Sequence, residues 1–199
     1  MPTGVALRDA REQLFQAAER VLVRVGPSAL TSRAVTAEAG VAKGVLHRHF
    51  ADFDEFLTEL VLDRLQRLDA TASRLAEAAG AGAVADNLTS ALMALFGPVS
   101  VAIVALVISR DGLRARLRQA GAARVPLLGE GTAMIASYLA TEREFGRIAT
   151  DADVDALAPT LVGAVHLVYT DREGEPPHRE AVHHIVDTVV AGAVKATRT

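Results

Sequence analysis

The chain contains no cysteine, only two lysines against 19 arginines, and aromatic residues make up just 4% of its 199 positions. Without cysteine there is no disulfide, no thiolate nucleophile, no iron–sulfur cluster and no zinc site built on sulfur. The near absence of lysine reads as a base-composition bias, with arginine standing in for it. The fold must rest on apolar burial, and 50% hydrophobic with 23% charged content supplies enough for one or two domains without staples. The same figures exclude a disordered chain. Residues 1–9 lack the basic and apolar regions of a secretory signal, so a cytoplasmic protein is expected.

Catalytic patterns are missing as well. Ser90, Ser100, Ser109 and Ser137 stand in no nucleophile-elbow context, and there is no phosphate loop or dinucleotide fingerprint. His183 and His184 are neighbours, which on a helix point apart instead of forming the i, i+4 pair a metal favours. His178 with Glu180, or His183 with Asp187, is better read as a solvated or interface cluster. No catalytic residue, metal or cofactor is expected, and an all-helical hydrolase or lyase is the poorer reading. Residues 87–109 carry no charge, long enough to raise the question of a membrane span. Gly97-Pro98 cuts the stretch and its flanks hold no cluster of positive charge, so two buried helices and no membrane are expected.

What is present is an uneven charge. Residues 1–50 hold seven Lys/Arg against four acids, a net of +3, so the remainder nets −6. A basic head on an acidic body suggests that the head meets a polyanion. Periodicity is helical throughout, with no period-two strand. Leu14, Ala17, Ala18, Val21, Leu22 and Val25 predict an amphipathic helix over 9–25, stopped by Gly26-Pro27. Thr31 or Ser32 caps a short second helix ending near Gly40, a third closes near Phe50, and Asp52 caps a fourth whose buried face runs from Phe53 to Leu68. Further helices are expected over 71–79, 84–96 and 99–109, then a short basic one capped by Asp111 that carries Arg114, Arg116 and Arg118. Pro126 opens another to about Glu144. Asp151 or Asp153 caps one reaching Tyr169, a polar turn spans 171–177, and a last helix covers 178–196.

Residues 31–50 carry the mechanism. Two short helices joined at Gly40, with Ala39 small enough for close approach and Val35, Val41, Leu46 and Phe50 filling the wedge, meet the requirements of a helix-turn-helix. The second helix presents Ala42, Lys43, Gly44, Val45, His47 and Arg48 outward, a shape that fits the major groove. The run from Ala39 through Phe50 resembles the signature of TetR-family transcriptional regulators, with a match spanning about residues 9–68. That resemblance implies an all-α fold: a three-helix DNA-binding head, a helical body that binds a small-molecule inducer, and a homodimer made by the last two long helices. It places phosphate contacts at Thr31, Ser32 and Arg33, and assigns His49 and Phe50 to buttressing the recognition helix. In that setting Lys43 and Gly44 start the recognition helix, Val45 suits a thymine methyl, and Arg48 suits phosphate or guanine. Three positions depart from the pattern. His47 replaces a usual tyrosine, Thr36 a usual alanine, and Asp52-Phe53 stands where many relatives have Ser-Lys, removing a cation that would face phosphate.

The expected organisation is a DNA-binding domain over 1–50, a connecting helix over 51–70, and a ligand-binding and dimerisation domain over 71–199. Candidate ligand-lining residues are Phe96, Val104, Ile108, Met134, Tyr138, Leu161, His166 and Tyr169, an apolar wall with a few polar tips. With so few aromatics an aromatic cage is not expected. His166, set among Leu161, Val162, Val165, Leu167 and Val168, needs a hydrogen-bond partner if buried. Helices over 153–169 and 178–196 carry more apolar residues than one core face needs, as pairing across a two-fold axis would require. The resulting expectation is a repressor released from palindromic operator DNA by a small molecule. The alternative is a helical small-molecule-binding dimer with weak or lost DNA affinity.

Overall fold

The structure, a computed structural model, describes the backbone of residues 4–170 and 176–194, with side chains from Ala10 onward. The described residues form ten α-helices: α1 Gly4–Val25, α2 Ser32–Glu38, α3 Gly44–His49, α4 Phe53–Glu77, α5 Val84–Leu95, α6 Pro98–Ser109, α7 Asp111–Gln119, α8 Leu128–Glu144, α9 Val154–Thr170 and α10 Arg179–Val190. Among these residues there is no β-strand, only an isolated bridge between Ile148 and Val194. No single helix is long and apolar enough to cross a membrane, and α5 and α6, which together hold the uncharged stretch, are bent by 62° at Gly97.

The chain divides into two compact units. One gathers the chain up to Arg64 together with Ala102–Pro126, and the other gathers Leu65–Val101 with the chain from Leu127 onward. The first is held by Leu14, Leu22, Leu30, Leu46, Phe56, Leu57 and Leu60, all fully buried, joined by Ile103, Leu106, Leu113 and Leu117 from the second pass. The apolar stripe of α1 is thus spent as its spacing predicts from Leu14 to Leu22, but Val25, in the last turn, is 51% exposed and lies off it. In the second unit, Leu88, Leu92, Ile135, Leu139, Leu161, Val165, Val182 and Val186 belong to one buried cluster fed by α5, α8, α9 and α10.

Several boundaries differ from those expected. The separate helix over 71–79 is the end of α4, which runs unbroken for 25 residues. Leu68, Thr71 and Leu75 continue its buried stripe, and the break comes only at Gly80, with φ +80°. Asp111 does not cap α7; Arg110 occupies that position and Asp111 is the first helical residue, where it accepts from Arg114. α8 starts at Leu128, not at Pro126, because Leu127 takes a left-handed φ of +69°, secured by Glu130 Oε2 accepting its N–H at 2.8 Å. α10 stops at Val190, and the chain then turns so that the Ala149 N–H donates to the Ala193 carbonyl at 2.7 Å. Most of the turn expected over 171–177, and the last residues of the helix expected to 196, lie outside the described residues.

Candidate nucleic-acid interface and effector residues

The helix-turn-helix is built by local bonds. Thr31 is extended and its Oγ1 accepts the Ala34 N–H at 3.1 Å, capping α2 and leaving the hydroxyl hydrogen for an outside acceptor. At the other end Gly40, at φ +68°, lets the Val41 N–H reach the Thr36 carbonyl at 3.0 Å and its own N–H reach Ala37 at 3.1 Å, the Schellman pairing that closes a helix. α3 follows, with Leu46 turned inward at 0% exposure and Ala42, Lys43, Gly44, His47 and Arg48 exposed; Val45 is half-buried. Phe50 closes α3 and packs among Phe15 and Phe56, at centroid distances of 5.8 and 5.0 Å. Thr31 and Arg33 are exposed, and Ser32 is half-buried with an unpartnered Oγ.

Charge in this region is sorted by partner. Arg20 and Arg24 of α1 both bind Glu38, at 2.8 and 2.6 Å, tying α1 to α2 and holding that carboxyl below its usual range. Arg11 pairs with Glu59 and lies 4.6 Å from the Phe50 ring centre. The exposed Arg33, Lys43 and Arg48 are left as the cations of the helix-turn-helix itself. Next to it, Asp52 caps α4 by accepting the Glu55 N–H at 2.6 Å, and Glu55 reciprocates by accepting from Ala51.

In the second unit Phe96, His166 and Tyr169 come together, with ring centres 5.6 and 5.8 Å from Phe96. The Nε2 of His166 is buried with no hydrogen-bond partner, and burial pushes its pKa down, so the ring is neutral. Burial also pushes the Tyr169 phenol up. Met134, Tyr138 and Leu161 are buried in the same core, and the Tyr138 hydroxyl accepts from Asn87 at 2.9 Å. Val104 and Ile108 are not brought to them. Both lie on the part of α6 that belongs to the first unit, where Val104 is core and Ile108 is 53% exposed. A cleft of about 170 Å³ in the second unit is lined by other residues, among them Thr71, Arg74, Asn87 and Ser90. His183 sits between two aspartates, Asp187 at 3.0 Å and Asp86 at 3.4 Å. Among the described residues no three His, Cys, Asp or Glu side chains, these included, are placed to hold one metal ion.

Residues 14–60 match the family model of bacterial regulatory proteins of the tetR family. The chain carries a TetR-family amino-terminal domain. No curated protein sequence matches it. Among solved structures it is similar to a TetR-family transcriptional regulator from Agrobacterium tumefaciens, with 13% identity over 95% of this chain and 100% of that one and a TM-score of 0.73. A transcriptional regulator from Rhodococcus sp. Rha1 has 22% identity over 94% and 98% of the two chains, TM-score 0.68. The ketosteroid transcriptional regulator of Mycobacterium tuberculosis has 23% identity over 94% and 95%, TM-score 0.64. These likenesses cover nearly the whole chain and establish its fold as all-α and TetR-like.

Within this TetR-family head the departures from the family pattern have physical answers. The Thr36 hydroxyl, 3% exposed, donates back to the Ser32 carbonyl at 3.0 Å, so the extra polar group is satisfied inside α2. His47 points outward from α3. Asp52 and Phe53, which replace a cation, are met by two arginines from a distant part of the chain: Arg116 at 3.0 Å from Asp52, and Arg110, whose guanidinium lies 5.9 Å from the Phe53 ring centre. The only signal for them was the basic run after Ser109. Nothing in that run says which helix it joins.

Proposed function

We propose that this chain is a homodimeric, ligand-responsive transcriptional repressor whose α3 enters the major groove of a palindromic operator. One observation carries the reading: Lys43, His47 and Arg48 stand exposed on α3 while Arg11, Arg20 and Arg24 are consumed by ion pairs within the head. A cationic helix with its apolar side buried is what groove recognition needs. Lys43→Ala together with Arg48→Ala is expected to weaken binding to a duplex from the chain's own promoter region about 100-fold, as the loss of two phosphate or base contacts in each half-site implies. Thermal melting should be unchanged, since neither side chain is buried. Fluorescence anisotropy at fixed salt reads the effect, and equal binding by wild type and the double variant would sink the assignment of α3.

Effector binding is assigned to the second unit around Phe96, His166 and Tyr169. A neutral imidazole with a buried, unpartnered nitrogen beside two aromatic rings suits an uncharged, largely apolar ligand carrying one hydroxyl or carbonyl. The similarity to a ketosteroid regulator is in keeping with that chemistry. For the dimer, α9 exposes Thr160, Gly163 and Leu167 along one stripe, with Leu167 at 67% exposure. Leu167→Asp is expected to weaken the dimer at least tenfold, because a charge placed in a four-helix seam must be desolvated. Sedimentation across a micromolar range checks it: a variant that sediments like wild type at every concentration removes α9 from the interface. Ligand binding then biases the spacing of the two recognition helices, favouring a dimer that no longer matches two half-sites.

A further inference from the structure

The residues up to Arg64 hold eight Lys/Arg but nine Asp/Glu, because α4 opens with Asp52, Asp54, Glu55, Glu59 and Asp63. Taken alone, that stretch is anionic, which is the wrong sign for a surface that meets DNA. Ala102–Pro126, which belongs to the same compact unit, brings five arginines and a single acid, Asp111. The positive charge of this unit therefore comes from a segment far away in sequence.

Geometry places two of those arginines at the start of α4. Arg116 grips both oxygens of Asp52, Nη2 at 3.0 Å from Oδ2 and Nη1 at 3.2 Å from Oδ1. Arg110 donates to the carbonyl of Leu30 at 3.1 Å, directly before the Thr31 cap, and its guanidinium lies over Phe53. Asp52 is ionised at any working pH, since the Glu55 N–H and then Arg116 hold its carboxyl below the usual range. The side chains of Asp52 and Glu55 already occupy N–H groups at the start of α4, so attraction for phosphate there has to come from side-chain cations.

We propose that Arg116 and Arg110 form an electrostatic part of the DNA-facing surface: Arg116 masks Asp52 from the phosphates, and Arg110 supplies the cation that the start of α4 lacks. The partner is the phosphate backbone and not base edges, so the contribution is independent of sequence and sensitive to salt. Asp52 keeps its capping role without repelling DNA, and Phe53, with Leu30, holds the guanidinium that replaces a lysine. The inference rests on the DNA-binding reading above.

The test uses the full chain and a fluorescent duplex of about 30 base pairs of random sequence, titrated from about 50 to 200 mM NaCl. Arg116→Gln is expected to weaken binding about tenfold and to flatten the plot of log K against log salt by about 1.8, one cation being lost from each half of the dimer. Arg110→Gln should flatten it by a similar amount. Asp52→Asn keeps an acceptor for the Glu55 N–H, so the Asp52→Asn/Arg116→Gln pair should return to within about threefold of wild type. Arg116→Gln and Arg110→Gln with wild-type slopes, or Asp52→Asn failing to rescue Arg116→Gln, would overturn the proposal. Should Arg116→Gln melt early, Asp52→Asn alone decides: it frees Arg116 and is expected to tighten binding several-fold, and unchanged binding overturns the masking. Failure of the underlying reading has a different signature, wild-type protein that does not bind the duplex even at the lowest salt, and it takes this inference with it.

Discussion

Arg147→Met is expected to destabilise the chain by about 3–5 kcal/mol, the cost of leaving a buried charge without its partner. Glu142 is 0% exposed, inside the second unit. Its Oε1 accepts the Gly80 N–H at 3.3 Å and the carboxylate takes the Tyr138 hydroxyl, while Oε2 has no hydrogen bond and relies on Arg147 Nε, 3.3 Å away. Arg147 also donates to the Gly82 carbonyl, so one guanidinium fastens the end of α8 to the turn after α4. The backbone sets this up: Gly146 at φ +74° lets the Arg147 N–H return to the Glu142 carbonyl at 2.9 Å, folding the arginine back toward its partner. Burial first, and the carboxylate second, push the Tyr138 phenol far above its ordinary range, so it remains a donor at every accessible pH. In a chain of this size the loss corresponds to a melting temperature lower by roughly 10 °C. Adding Glu142→Gln should recover most of it, since the amide is neutral and still accepts from Gly80. Circular dichroism melting of both variants reads the cycle; a single variant within about 1 kcal/mol of wild type would show that the pair carries no stability.

The features legible in the sequence are those fixed within a few residues. The Thr31 cap, the left-handed turn at Gly40, the inward Leu46 and the outward Lys43 and Arg48 follow from local bonding and a period of 3.6, and the structure has each of them. The end of α4 is hidden by composition. Its alanine-rich last turns look like a separate helix, yet Leu68 and Leu75 keep the stripe intact and only Gly80 takes a conformation that stops it. Leu127 at positive φ was invisible, because a bulky residue adopts it only when tertiary packing and the Glu130 side chain compel it.

Long-range assignments were the harder part. The basic run from Arg110 into α7 is legible as basic, but its union with the head depends on Arg116 meeting Asp52 across 64 positions and Arg110 meeting Leu30 across 80. Val104 and Ile108 belong to the expected lining because their apolar helix reads as part of the body that holds the ligand. Hydropathy reports burial but not which core does the burying, and α6 passes from one unit into the other between Val101 and Ala102. Phe96, His166 and Tyr169 come together as a shared apolar wall with polar tips suggests, but the hydrogen-bond partner expected of a buried imidazole is missing at Nε2.

Phe56→Ala is expected to cost about 3–5 kcal/mol and, with it, the pose of the recognition helix. Phe56 is fully buried and its ring meets Phe15 of α1 at 5.6 Å, Phe50 at 5.0 Å edge-on, and Phe53 at 5.6 Å stacked. Phe50 is the residue that closes α3, so this one side chain holds the end of the recognition helix against both α1 and the first turn of α4. Truncation leaves a cavity that its neighbours fill only by moving, and the nearest to move is Phe50. Loss of DNA affinity should therefore exceed what the fraction unfolded explains: at a temperature where the variant is still folded, binding to the duplex should fall about tenfold or more. Phe53→Ala is the comparison, because that ring is only half-buried and its removal should cost about 1 kcal/mol in packing. Urea unfolding monitored by circular dichroism, run beside anisotropy on the same samples, separates the two effects. A Phe56→Ala protein as stable as Phe53→Ala, or one that binds DNA like wild type once folded, would mean that the aromatic cluster does not set the position of α3.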